Sequence, residues 1–216
     1  SRKQDASAVD FLVETYLAAT EPITLVAVGP LTNLALAFQA EPRVVETIPH
    51  VVVMGGAHGS GNTTPSAEFN VWVDPDAARI VFRAGLADLT LVPLDATHQA
   101  LVSTDDCAAL RATGSVAGAA AATLIEGRIR AYADLQPLDA PSSAPVHDAL
   151  CIAALVDPGV VSGRRAHVDV ETQGDLTLGR TVIDTTDWFG HVPNAFVALD
   201  ADAPRFVSLL LETLGR

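Results

Sequence analysis

The sequence predicts an α/β fold, a mainly parallel open sheet with helices on both faces, and three observations predict it. Short apolar runs bounded by Gly, Pro or Asp recur as Ile23–Val28, His50–Met54 and Leu89–Pro93, the form that strands buried on both faces take. Segments with helical spacing and helix-start residues alternate with them, which argues for parallel strands joined by helices. The chain has 216 residues, 49% of them hydrophobic, enough for one substantial core. No linker composition interrupts it, so residues 1–216 are expected to form a single α/β domain.

The elements follow in order. Ser7 with Asp10 forms a helix start, and Val9, Leu12, Val13, Tyr16 and Leu17 share one helical face. Ile23–Val28 reads as a fully buried strand, broken at Gly29-Pro30 before a helix over 31–39. Glu41-Pro42 ends that helix and opens another through Thr47. His50–Met54 is the next strand, and Gly55-Gly56 leads into a long polar loop from Ala57 to Ala67. Asp74-Pro75 is an N-cap followed by Pro at the first helical position, with the helix running to Arg83. Leu89–Pro93 is a third strand, and Ser103 with Asp106 caps a further helix. A long Ala-rich helix is expected over Val116–Ala133. Asp148–Val156 is apolar nearly all round and therefore reads as a buried helix. Strands near Arg165–Glu171, Thr177–Asp184 and Ala195–Leu199 precede a closing helix over Ala203–Leu214.

Composition excludes several function classes. Twenty-six acidic residues against 13 basic ones give a net charge of −13, which repels polyanions and disfavours nucleic-acid binding. Mean hydropathy is high at +0.31. No uncharged apolar run is long enough to span a bilayer, so membrane insertion is not expected. Cys107 and Cys151 sit in apolar helical contexts, as buried free thiols do, which suggests a reducing, cytoplasmic compartment.

In an open parallel sheet, ligands bind beyond the carboxyl ends of the strands. Three expected strands end there in Val28-Gly29-Pro30, Met54-Gly55-Gly56 and Asp95-Ala96-Thr97-His98. The loop stretch from Gly61 to Asn70 holds Asn62, Glu68 and Asn70, amides and a carboxylate able to donate to and accept from several hydroxyls of a polyol. Glu68 and Asn70 are expected to share one face of an extended segment, with Phe69 turned the other way into packing. His147-Asp148 opens the expected buried helix. That Asp is a helix cap or a hard oxygen donor for calcium or magnesium, and the His a proton-transfer group or an ordinary helix residue. No histidine spacing indicates zinc.

Four motifs then carry a resemblance: Val26-Ala-Val-Gly-Pro-Leu-Thr-Asn-Leu-Ala35, Val53-Met-Gly-Gly-Ala57, Ala67-Glu-Phe-Asn70 with Asp74-Pro-Asp-Ala-Ala78, and Pro145-Val-His-Asp148. In this order and at about this spacing the chain resembles the inosine–uridine nucleoside hydrolases, from near Ser7 to the closing helix. The resemblance implies a Rossmann-like core and a calcium-dependent N-ribohydrolase acting on free nucleosides through an oxocarbenium-like transition state. It implies Asp148 and the Val28 carbonyl as calcium ligands. It also places Asn62, Glu68 and Asn70 on the ribose hydroxyls, Met54 under the sugar, and His147 as the acid that protonates the leaving base. Homo-oligomers, dimers or tetramers, are implied as well.

One feature of that family, the D-x-D-x-x-x-D-D cluster that ends its first strand, is absent from these 216 residues. The simplest expectation is that the family's first part lies outside this chain, leaving the domain incomplete at its N-terminus. A nucleoside- or ribose-binding homologue without catalysis fits Asn62, Glu68 and Asn70 equally, while His147 with Asp148 favours the enzyme. Tyr132, Trp188, Phe189 and His191 are candidates for contact with the base, and base preference stays open.

Overall fold

A computed structural model describes residues 5–136 and 138–216. In chain order its elements are α1 (Ala8–Ala18), β1 (Leu25–Ala27), α2 (Thr32–Ala40), α3 (Val44–Thr47), β2 (Val51–Met54), α4 (Phe69–Val73), α5 (Pro75–Phe82), β3 (Leu89–Val92), α6 (Leu94–Thr97), β4 (Leu101–Ser103), α7 (Thr104–Ala112), α8 (Val116–Leu135), β5 (Ser143–Pro145), α9 (His147–Val156), β6 (Val161–Val170), β7 (Thr181–Asp184), β8 (Ala195–Ala201) and α10 (Ala203–Leu214). They gather into two compact units, Ser1–Leu94 with Gly163–Ala198, and Asp95–Ser162 with Leu199–Arg216.

The first unit holds a mixed six-stranded sheet in the order β1-β2-β3-β8-β6-β7. β1, β2, β3 and β8 pair in parallel, with Val53 beside Leu91 and Thr90 beside Phe196. β6 and β7 close the sheet as an antiparallel pair. All four residues of β2 are buried, as a strand covered on both faces requires. β1 corrects an expectation. Among the described residues it pairs with β2 alone, its three residues are half-buried, and Ile23 and Val28 beside it are exposed. Apolar composition gave it the pattern of a fully buried strand, but burial depends on which neighbours pair, and that is a tertiary fact.

Helix starts are set locally, as the side chains foretell. Ser7 accepts the Asp10 N–H at 3.1 Å, and Asp74 accepts the Ala77 N–H at 3.0 Å ahead of α5. α2 buries Leu34, Ala35, Ala37 and Phe38, and packs against α1 and α5.

In the second unit, Ser103 and Asp106 form a reciprocal capping box at α7. α7 packs along α8, where Gly118 lies so close that a Cβ on it would sit 2.6 Å from the Leu110 carbonyl oxygen. β4 and β5 form a separate antiparallel pair that the Pro-rich sequence of β5 concealed. α9 differs from the all-round burial expected of it. Leu150, Cys151 and Ala153 are buried, but Ile152 and Val156 face solvent. The strand expected near Thr177–Asp184 is shorter, because 175–179 turn and Gly179 takes φ +79°.

Candidate active site

The loop after β2 is built around one carboxylate. Gly56 adopts φ +72°, and a Cβ there would meet the Thr181 side chain at 2.6 Å, so the position requires glycine. Thr181 reaches it because its hydroxyl accepts the Ala57 N–H at 2.8 Å and donates to the Ala57 carbonyl at 2.6 Å. Glu68 then locks the turn to the next helix. It is buried, and its Oε2 accepts N–H groups from Gly56 at 2.9 Å and Val71 at 3.2 Å, while Oε1 accepts Asn70 N–H at 2.9 Å. The carboxylate is thus the N-cap of α4 as well as a candidate sugar ligand.

Asn70 points to the same place. Its Nδ2 donates to the Met54 carbonyl at 3.0 Å and lies 3.4 Å from the Met54 sulfur. That bond fixes the amide's orientation and leaves Oδ1 as the acceptor to be presented. Asn62 joins the cluster through its Oδ1, which accepts the Phe69 N–H at 3.0 Å. Glu68 and Asn70 therefore converge on the carboxyl end of β2. The expected extended segment is wrong in one respect: Phe69 opens a helix and is 52% exposed instead of packed. A helical rotation of about 100° per residue turns it outward, whereas strand alternation would have turned it in. Val28 follows β1 at the same end of the sheet, one strand from Met54, and is exposed.

The second unit, described by itself, holds a histidine bonded on both ring nitrogens. His147, the first residue of α9, is buried; its Nδ1 lies 2.7 Å from Thr97 Oγ1 and its Nε2 lies 2.8 Å from the Tyr132 hydroxyl. Burial pushes its pKa down to about 3, and the positive charge of Arg128 and the His98 ring press in the same direction. At neutral pH the ring is uncharged, so any proton it gives must come from a neutral N–H or its hydroxyl partners. Arg128 lies over the Tyr132 ring at 5.1 Å, one helical turn before it on α8. Asp148, next on α9, is exposed.

Sequence reasoning missed Thr97 and Arg128. The i, i+4 pair Arg128–Tyr132 was a visible signal; Thr97 stood in a strand-end segment, but its bond to His147 was hidden because the two lie 50 residues apart. Trp188, Phe189 and His191 fall on the loop after β7. There Asp184 accepts N–H groups from Thr186, Trp188 and Phe189, and Trp188 stands in solvent. Among the described residues, no group of three or more His, Cys, Asp or Glu could hold a metal ion.

Comparison with known proteins gives this arrangement its context. The family model described as inosine-uridine preferring nucleoside hydrolase matches residues 1–208. A pyrimidine-specific ribonucleoside hydrolase RihA of Citrobacter koseri is 40% identical over 212 residues, 98% of this chain and 67% of the relative. That of Escherichia coli K12 is 39% identical over 211 residues, with the same coverage of 98% and 67%. Among solved structures, a purine-preferring ribonucleoside hydrolase from Gardnerella vaginalis aligns with TM-score 0.89 at 33% identity, covering 100% of this chain and 67% of that one. The plant nucleoside hydrolase PpNRh1 aligns at 0.88 with 31% identity, covering 100% and 69%.

Proposed function

Because this chain belongs to the inosine-uridine preferring nucleoside hydrolase family, we propose that it cleaves the N-glycosidic bond of free ribonucleosides, releasing ribose and base, with His147 as the general acid. The observation that carries this chemistry is the buried chain of hydrogen bonds from Thr97 through His147 to Tyr132. As the bond breaks, its electron pair goes to the base and positive charge develops at the sugar carbon. The departing base gains proton affinity, and a positioned proton donor assists its departure. The proton reaches the base from His147 through the Tyr132 hydroxyl, and the water that adds to the sugar carbon gives up one proton, which returns to the His147 chain.

Met54, Asn62, Glu68 and Asn70 bind the ribose in this reading. Asn70 Oδ1 accepts from a sugar hydroxyl, because the Met54 carbonyl already holds the amide nitrogen. Both base classes fall within the proposal, since one set of relatives carries a pyrimidine-specific name and another a purine-preferring one.

Calcium is the ion that the resemblance implies, with Val28 and Asp148 as its ligands. Calcium takes six to eight oxygens. One carbonyl and one exposed carboxylate do not fit it by themselves, and no step above is routed through it. A cytoplasmic homo-oligomer completes the proposal, with support from two buried free thiols and from Ile152 and Val156, which leave apolar surface on α9 open to a second copy. No helix among the described residues is long and apolar enough to cross a membrane.

The test is hydrolysis of inosine and uridine beside a nitrophenyl riboside, whose leaving group needs little protonation. His147→Ala should lower kcat on the nucleosides by about 10²–10⁴-fold and much less on the nitrophenyl substrate. Equal losses on both would remove His147 as the acid.

A further inference from the structure

His98 follows directly on the Thr97 that bonds His147, and its ring closes a third side of the same cluster. The His98 ring centroid lies 5.7 Å from that of His147, tilted by 48°, and 6.4 Å from that of Tyr132, edge-on at 88°. Its Nε2 is buried and has no hydrogen-bond partner. Leaving a buried polar atom unpaired is costly, and a native fold that keeps one invites a reason.

The neighbouring His147 ring can hold its proton on either nitrogen. With Tyr132 donating its hydroxyl proton to Nε2, His147 carries its own proton on Nδ1, toward Thr97. It then has none on Nε2, the nitrogen on the tyrosine side. The opposite arrangement puts the proton on Nε2 and makes the Tyr132 oxygen its acceptor. Tyr132, His147 and Thr97 each hold one proton in both arrangements, so nothing is gained or lost. The second arrangement obliges the Tyr132 proton to turn elsewhere.

Resting on the reading of His147 as the acid, we propose that His98 is a positioning residue whose Nε2, unpaired in this structure, is the acceptor to which the Tyr132 hydroxyl turns when His147 takes the tautomer that can deliver a proton. His98 suits the task because burial lowers its pKa, the nearby Asp95 opposing, and a neutral ring retains an acceptor nitrogen.

Two readouts test it, one of them independent of turnover. Side-chain ¹⁵N shifts of His147 report its tautomer. His98→Phe, which keeps a ring without the acceptor, should move His147 toward the Nδ1–H form. His98→Gln, whose amide oxygen reaches the Nε2 position, should restore part of the original signal. In kinetics, His98→Phe should lower kcat on inosine and uridine by about 10–100-fold, within the range for proton transfer. KM should hold, the nitrophenyl riboside should be spared, and adding His147→Ala should cause little further loss. An unchanged tautomer, or equal losses on both substrates by a folded His98→Phe protein, overturns the role of His98 alone. Equal losses by His147→Ala overturn the reading beneath it as well. Melting curves for both His98 variants separate a folding defect from either result.

Discussion

Replacing Glu68 by Gln exchanges one oxygen for an NH₂, yet the structure makes the change expensive. Three backbone N–H groups, of Gly56, Asn70 and Val71, converge on the buried carboxylate. Glutamine can keep its oxygen toward Gly56 and Val71, but its amide nitrogen then opposes the Asn70 N–H. Charged hydrogen bonds contribute about 1.5–3 kcal/mol and neutral ones about 0.5–1.5, so each retained bond weakens by roughly 1 kcal/mol. The orphaned Asn70 donor costs about 1–3 kcal/mol more. The expected loss is about 3–5 kcal/mol, read as a lower urea midpoint at constant slope. Because a chain of this size loses roughly 2–4 °C per kcal/mol, Tm should fall by about 6–20 °C. Glu68→Asp is the control: aspartate caps helices well but is one methylene too short for Gly56, so its loss should be intermediate. A Glu68→Gln protein within about 0.5 kcal/mol of the parent, the scatter of an ordinary surface change, would refute the anchoring of the loop by this carboxylate.

Calcium titrated calorimetrically into the 216-residue chain should give no affinity tighter than about millimolar, since two oxygens replace few of the six to eight that the ion requires; a micromolar Kd would reveal ligands other than Val28 and Asp148. The thiols should resist alkylation in the native state. Burial pushes Cys151 up to about 12, with the negative charge of Asp148 adding to it, and burial likewise raises Cys107. Because the raised pKa favours the protonated form, raising the pH from 7 to 9 should scarcely speed native labelling, whereas the unfolded chain should accelerate steeply; native labelling that follows the free-thiol curve would contradict this burial.

Much of this molecule is written in local sequence. Ser7, Asp74 and Ser103 open helices wherever the chain goes, because a capping side chain needs only the backbone two or three residues ahead. β2 and β3 follow from apolar runs too short for helices, and the polar stretch between β2 and α4 from Gly, Asn and Ser. Glu68, Asn70 and Met54 could be named as a set because one loop carries all three. What they do to one another was less legible. A glutamate before an apolar run reads as a solvated residue or a ligand, and only the folded loop shows it capping α4 and gripping Gly56.

The alternation of strands and helices, the helix starts and the identity of the polar loop are all set by interactions a few residues apart, and so are legible in the chain before it folds. Only the tertiary structure shows that β2 pairs with β1 and β3, that β4 pairs with β5, and that Thr97, Tyr132 and His98 surround His147. Those relations join residues 15 to 50 positions apart on different elements. No periodicity records them, because hydrogen bonding and burial depend on which surfaces meet, and the pattern within a single element cannot specify its partner.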